Sequence, residues 1–154
     1  MKVLHIITSL EDGGAEKTLY KLCKYDTENT ITVISLKGKG KYFFLLKKLG
    51  VKVYRLEMKY YSITKFYFLI KLINLLNPNV VQTWLPHGDF IGGLASRIAG
   101  INKVIWNVRY SNLKKGVVKL KTIFLINTLS KLSYIIPRAI VVNSNSGLKN
   151  CKNL

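Results

Sequence analysis

Acid is what this sequence has least of. Its 154 residues carry 7 Asp and Glu against 25 Lys and Arg, a formal net charge of +18, and no carboxylate follows Asp89. So few and scattered carboxylates supply no Ser-His-Asp set, and no Cys/His cluster has metal-ligand spacing, so hydrolase and metal chemistry find no support. Cysteine is scarce as well. Cys23 and Cys151 are too few for a disulfide framework, and Cys23 falls on the apolar face shared by Ala15, Leu19 and Leu22, which suits a reducing, cytosolic compartment. Long apolar runs are missing: the greasiest stretch, Phe66 to Leu76, falls short of the ~20 residues that span a bilayer. The opening M-K-V-L-H-I-I-T is interrupted by His5 and has no small-x-small cleavage site after it, so it reads as a first strand and not a signal peptide. No internal repeat or low-complexity linker is visible.

What remains is apolar and basic. With 49% hydrophobic residues the chain can bury the core of one domain. Its charge attracts polyanions, whether nucleic acid, anionic lipid headgroups or the diphosphates of small substrates, and charge alone does not choose among them.

Short runs rich in β-branched residues alternate with longer helical patterns, which predicts an α/β fold: a Rossmann-like, doubly wound parallel sheet with about six strands. Strands are expected at Lys2–Thr8, Thr30–Leu36, Val51–Arg55, Val80–Trp84, Lys103–Val108 and Ala139–Asn143. Helices are expected near Ala15–Tyr25, Lys41–Leu49, Ile63–Leu76, Phe90–Ala99 and Gly116–Ile136. Ser62 can cap the third, Gly50 and Gly100 stop two others, and Pro137 breaks the fifth. K-G-K-G-K at 37–41 reads as a mobile basic turn, and the closing S-N-S-G-L-K-N-C-K-N-L as the first turns of an interrupted helix.

Ligands of an open parallel sheet bind outside the carboxyl ends of its strands. The loops leaving those ends are S-L-E-D-G-G, L-P-H-G-D, R-Y-S-N and S-N-S, all polar and expected to converge on one edge. Gly13 and Gly14 open a helix, where free N–H groups favour an anion, or they simply allow a tight turn. The loop is neither G-x-G-x-x-G nor a P-loop. Glu16 serves the helix dipole or a ligand. His87, between Pro86 and Gly88 in what reads as an exposed loop, suits hydrogen bonding to a hydroxyl, whereas His5 inside the first strand reads as structural. Asp89 is expected to cap the fourth helix. Arg109 suits a phosphate or carboxylate, or a surface ion pair.

Four stretches in this order, M-K-V-L-H-I-I-T-S-L-E-D-G-G-A-E-K-T-L, N-P-N-V-V-Q-T-W-L-P-H-G-D-F-I-G-G-L-A-S-R-I-A-G, V-I-W-N-V-R-Y-S-N and A-I-V-V-N-S, resemble the amino-terminal domain of bacterial GT-B-fold glycosyltransferases. They are most similar to the retaining, subfamily-4-like group that builds lipopolysaccharide, capsule and other surface glycans. The resemblance covers essentially all of residues 1–154. It implies transfer of a sugar from a nucleotide-sugar donor to a glycan or lipid-linked acceptor, with no obligatory metal or cofactor. Gly13 and Gly14 would be the glycine loop facing the donor, His87 would line the acceptor side as the candidate catalytic residue, and Glu16, Arg109, Ser111, Asn143 and Ser144 would complete the substrate-binding set. Arg109 stands where many members carry a histidine. The donor-binding carboxyl-terminal domain of the family is not in this sequence, so the chain is expected to be half of a site and inactive alone, whether as a fragment, a truncated gene product or one subunit of a split enzyme whose donor-binding domain or subunit is separate.

A second reading is a non-enzymatic, basic membrane-surface or subunit-interaction module. It is motivated by K-Y-F-F-L-L-K-K-L and K-G-V-V-K-L-K-T-I-F-L-I, which mix lysine with apolar residues. Either reading places the protein in the cytoplasm, peripheral at the anionic inner face of the cytoplasmic membrane. Specific nucleic-acid binding is not expected, because the aromatics sit in apolar runs.

Overall fold

A computed structural model of the chain describes residues 1–59, 62–108 and 120–143. Its strands are β1 (Lys2–Ile7), β2 (Thr30–Ser35), β3 (Lys52–Arg55), β4 (Val80–Trp84), β5 (Val104–Val108) and β6 (Ala139–Val142). Between them lie α1 (Gly14–Tyr25), α2 (Lys41–Lys48), α3 (Ile63–Leu76), α4 (Gly93–Ile98) and α5 (Leu120–Leu132). The six strands form one sheet in the order β3-β2-β1-β4-β5-β6, and all five pairings are parallel. The chain winds outward from β1 to β3, crosses back to β4 and winds outward again, which is the doubly wound Rossmann-like arrangement expected from the alternation of periods.

Two cores follow from the pleat, because neighbouring strand residues point to opposite faces. On one face Ile7, Val33 and Trp84 pack with Leu19 and Cys23 of α1 and Phe43 and Leu46 of α2. On the other, Leu4, Ile6, Ile34 and Val81 pack with Leu69, Leu72 and Ile73 of α3 and Ala95 of α4. That face continues through Val104 and Trp106 of β5 to Leu129 of α5 and Ile136.

The punctuation acts as the residue types require. Ser62 accepts a hydrogen bond from Lys65 N at 3.4 Å at the start of α3. Gly50 and Gly100 take φ of +79° and +81°, the left-handed conformation that ends α2 and α4. Two expectations are corrected. The fifth helix ends at Leu132, short of Ile136, because a residue before proline avoids helical backbone. There Ile136 N still donates to Leu132 O at 2.9 Å while its side chain enters the core. The amino half of that expected helix, from Gly116, lies outside the described residues, as does the closing segment with Cys151. The fourth helix opens on a π-helical turn, Gly88–Gly92, in place of a capped α-helical start at Phe90.

The expectation for His5 stands on its contacts. Trp84 Nε1 donates to His5 Nδ1 at 3.3 Å, and the rings meet edge to face at 5.9 Å. Burial drives the imidazole's pKa from 6.5 down to about 4, opposed by the charge of Asp26. The unfolded chain therefore takes up a proton between those values that the native state refuses. Stability is complete above pH 6.5 and falls, by roughly 1.4 kcal/mol per pH unit, as pH drops towards about 4. Urea melts of wild type and His5→Asn at pH 7 and pH 5 should show a smaller acid loss in the variant, beside a lower stability at pH 7. Equal acid losses would mean that His5 is not kept neutral.

Candidate functional site

β1 lies between β2 and β4, so the loops leaving these three strands are neighbours at the carboxyl edge. Thr8 joins them. Its carbonyl accepts from Lys37 N at 2.9 Å, and its hydroxyl accepts from Gly88 N at 3.0 Å. The glycine loop is gripped from the β2 side as well. Tyr42 N donates to Leu10 O at 3.0 Å, and Lys41 Nζ meets Asp12 Oδ2 at 2.9 Å. A Cβ on Gly40 would stand 2.6 Å from Glu11 Cα. K-G-K-G-K is thus a docked brace and not the mobile turn that its composition suggested: Gly40 serves a close backbone approach.

In the glycine loop itself, Gly13 is extended (φ −148°, ψ 171°) and α1 begins at Gly14. No side chain caps this end, and the first N–H groups of a helix have no acceptor within it. Glu16 is buried, and its carboxyl group folds back so that a Cβ on Gly13 would collide with it. Gly13 is therefore needed for packing over Glu16, while the space beside Gly14 is open to 4 Å. The two glycines differ: Gly13 packs inward over Glu16, and Gly14 is exposed.

The β4 loop turns sharply. Leu85 adopts φ of +68°, a left-handed conformation costing on the order of 1–2 kcal/mol for a residue with a branched side chain. The surroundings fix it. Asp89 N donates to Leu85 O at 2.8 Å, Gly88 is tied to Thr8, and Asp89 is fully buried with Thr83 Oγ1 donating to its Oδ1 at 2.6 Å. Asp89 is therefore not the exposed helix cap expected of it; the π-helical turn swings its side chain under the loop. His87 is half-buried, not fully exposed. Burial and then the nearby charge of Lys37 lower its pKa, leaving a neutral imidazole at neutral pH. Such a group can accept a proton or a hydrogen bond from a hydroxyl.

The structure thus ties Gly88, the neighbour of His87, to Thr8 at the head of the loop that leads through Gly13 to Gly14 and Glu16 of α1. It does not bring Asn143 to them: β6 is the far edge strand, three strand spacings or about 14 Å from β1. Arg109, Ser111 and Ser144 lie outside the described residues. Sequence reasoning missed Thr8, Lys37 and Leu85. The K-G-K-G-K signal was readable, but only strand order shows that it borders the glycine loop. Among the described residues no group of His, Cys, Asp and Glu is arranged to hold a metal ion.

No protein-family profile matches the sequence, and no curated protein does. Solved structures do match. Anabaena Alr3699/HepE in complex with UDP superposes over 99% of this chain and 40% of its own, with a TM-score of 0.78 at 16% identity. The same protein in complex with UDP-glucose gives a TM-score of 0.78 at 15% identity. Acinetobacter baumannii MurG follows at 0.66 and 15%, over 94% of this chain and 42% of that one. A glycosyltransferase from Rickettsia africae ESF-5 gives 0.56 and 14%, over 99% and 48%. At these identities the likeness establishes the fold, the Rossmann-like α/β architecture of GT-B glycosyltransferases, and this chain spans about two-fifths of the length of the first two proteins.

The unequal roles of the glycines are measurable. Gly40→Ala presses a methyl group onto the Leu10–Glu11 backbone and should cost about 1–3 kcal/mol in urea melts. Gly14→Ala meets open space and should be within about 0.5 kcal/mol of wild type. An undisturbed Gly40→Ala would mean that the brace is not pressed against the loop.

Proposed function

We propose that the chain is the amino-terminal, acceptor-side domain of a GT-B glycosyltransferase of the retaining, subfamily-4-like kind, acting on a surface-glycan or lipid-linked acceptor. The observation that carries this reading is the hydrogen bond from Gly88, next to a neutral, half-buried His87, to Thr8 at the head of the glycine loop, at the carboxyl edge of a fold shared with a protein seen with UDP and UDP-glucose. His87 accepts a hydrogen bond from the acceptor hydroxyl and orients it. The amide groups at Gly14 face the donor, a nucleotide sugar held mainly by a second domain or subunit that closes over the cleft. Arg109, Ser111, Asn143 and Ser144 complete the proposed substrate-binding set on the sequence resemblance alone. No metal or cofactor is required.

Transfer assays with a panel of nucleotide sugars test this on the chain joined to, or mixed with, its donor-binding partner. His87→Ala should lower the rate about 100-fold or more, with little change in melting temperature. His5→Ala should do the reverse, and Gly14→Val should raise KM by placing bulk where a ligand approaches. Full activity in His87→Ala would remove this histidine from the reaction.

We also propose peripheral attachment to an anionic membrane, and α3 favours it. No described helix is long and apolar enough to cross a bilayer. Yet the outward face of α3 exposes Ile63 (83%), Leu75 (81%), Tyr67 (59%) and Phe68 (53%). Lys71 stacks 4.7 Å over the Tyr67 ring, Lys65 stands on the same helix, and α3 contains no acid. An apolar face flanked only by lysines matches an interface rich in anionic headgroups. Sedimentation with phosphatidylglycerol vesicles should exceed that with phosphatidylcholine vesicles, and Lys65→Gln/Lys71→Gln should reduce it several-fold. Equal binding to both vesicles would contradict the electrostatic account. Retained vesicle binding without turnover in any combination of domains would favour the non-enzymatic module.

A further inference from the structure

The β4 turn holds a buried acid that neither the reading of the site nor the packing of the core uses. Asp89 is fully buried. Thr83 Oγ1 lies 2.6 Å from its Oδ1 and 3.5 Å from Ile105 O, so the acid is anchored to β4 and, through one hydroxyl, to β5. Its Oδ2 has no hydrogen-bond partner among the described residues, and neither has Nε1 of buried Trp106, the register partner of Thr83. A carboxylate with one bare oxygen in a dry site is costly, whereas a neutral carboxylic acid leaves only a hydroxyl unpaired. Two residues before it stands His87, on a turn whose entry residue, Leu85, is in left-handed backbone.

We propose that Asp89 is a positioning residue: anchored to Thr83 beneath the Leu85–Gly92 turn, it holds that turn closed and so aims His87 into the cleft. The proposal rests on the glycosyltransferase reading only for what His87 then does. The anchor is uncharged. Burial pushes the acid's pKa up to about 8, against the lowering effect of Thr83. The groups that meet it are the Thr83 hydroxyl from β4 and, through that hydroxyl, the Ile105 carbonyl from β5; none is titratable. A group raised in the native state favours folding when protonated, so the closed turn is most secure below the acid's ordinary value of 3.8, loses stability steadily as pH rises above it, and has lost this contribution by about pH 8, where the acid ionises in place. Ionisation places an unmatched charge under a strained turn, and Leu85 is free to relax.

His87 reports on this directly, because the chain has 2 histidines and His5 is held neutral down to about pH 4. The imidazole C2–H resonance of His87 can be followed by NMR in the 154-residue chain from pH 5 to pH 10, without any substrate. Wild type should show two transitions: the imidazole's own below pH 6.5 and a second near pH 8 as Asp89 ionises. Asp89→Asn, the neutral isostere, should keep the low-pH position of His87 and lose the alkaline transition. Asp89→Ala should shift or broaden the resonance at every pH. Thr83→Val keeps the volume but removes the hydrogen bond that favours the charged form, so it should move the alkaline transition to higher pH, and it serves as the independent probe if Asp89→Ala does not fold. An alkaline transition that survives in Asp89→Asn, or that does not move in Thr83→Val, would overturn the proposal. So would a His87 signal unchanged in a folded Asp89→Ala. A positioned His87 whose replacement leaves transfer intact would sink only the catalytic reading.

Discussion

The candidate site hangs on Thr8. This residue ends the central strand of the sheet, and its two oxygens take hydrogen bonds from the two neighbouring loops, Lys37 N on the β2 side and Gly88 N on the β4 side. Each bond is worth about 1 kcal/mol by itself. Their joint effect is larger in kind, because they bind segments some 80 residues apart in sequence into one surface through a single residue, one bond to its carbonyl and one to its hydroxyl. A loop held at several points loses its freedom during folding and not when a ligand arrives, which is what preorganisation means for a binding edge.

Close backbone approach sets how that edge is built. On the α4 side the sequence offers Gly92 and Gly93. A Cβ on either would stand 2.8 Å from Ile6 Cγ2 and from Trp106 Nε1 respectively. The small residues let the helix lie against the sheet, and the π-helical turn ahead of it absorbs the mismatch between strand end and helix start. Strain at Leu85 sits just ahead of this turn. It persists because Thr83, Thr8 and the buried Asp89 over-determine the backbone on both sides of it.

The architecture was legible because it rests on period and punctuation. Strand and helix ranges from Lys2 to Trp84 agree with the structure to within one residue, since alternating β-branched runs and the glycines at 50 and 100 leave little choice. The site was legible only in part, and for a physical reason. His87 and the glycine loop are marked by residue type. The brace at Lys37–Lys41 is marked only by its place next to β1, which depends on the order β3-β2-β1-β4 that no local pattern encodes. Asp89 misleads in the same way. A carboxylate before a helix normally caps it, but a turn with one more residue per coil rotates the side chain from solvent to core. Asn143 leaves the same edge, but β4 and β5 lie between its strand and β1, a lateral separation that no local pattern reveals.

The two histidines show how far tertiary placement overrides residue chemistry. Both are kept neutral chiefly by burial, although in sequence only His5 stands in an apolar run. His5 points from the middle of β1 into the α1–α2 core, where Trp84 occupies its Nδ1; its neutrality is a condition of folding. His87 lies past the end of β4, half-covered, beside Lys37, whose charge adds to burial in holding the proton off. A neutral imidazole in a core only fills space and completes a hydrogen bond. The same neutral imidazole on a braced turn at the carboxyl edge is presented where a ligand of the sheet would bind. What separates them is a few residues of strand length and the hydrogen bonds of Thr8, so the chemical capacity of the edge is a property of the turn that presents His87 more than of the histidine itself.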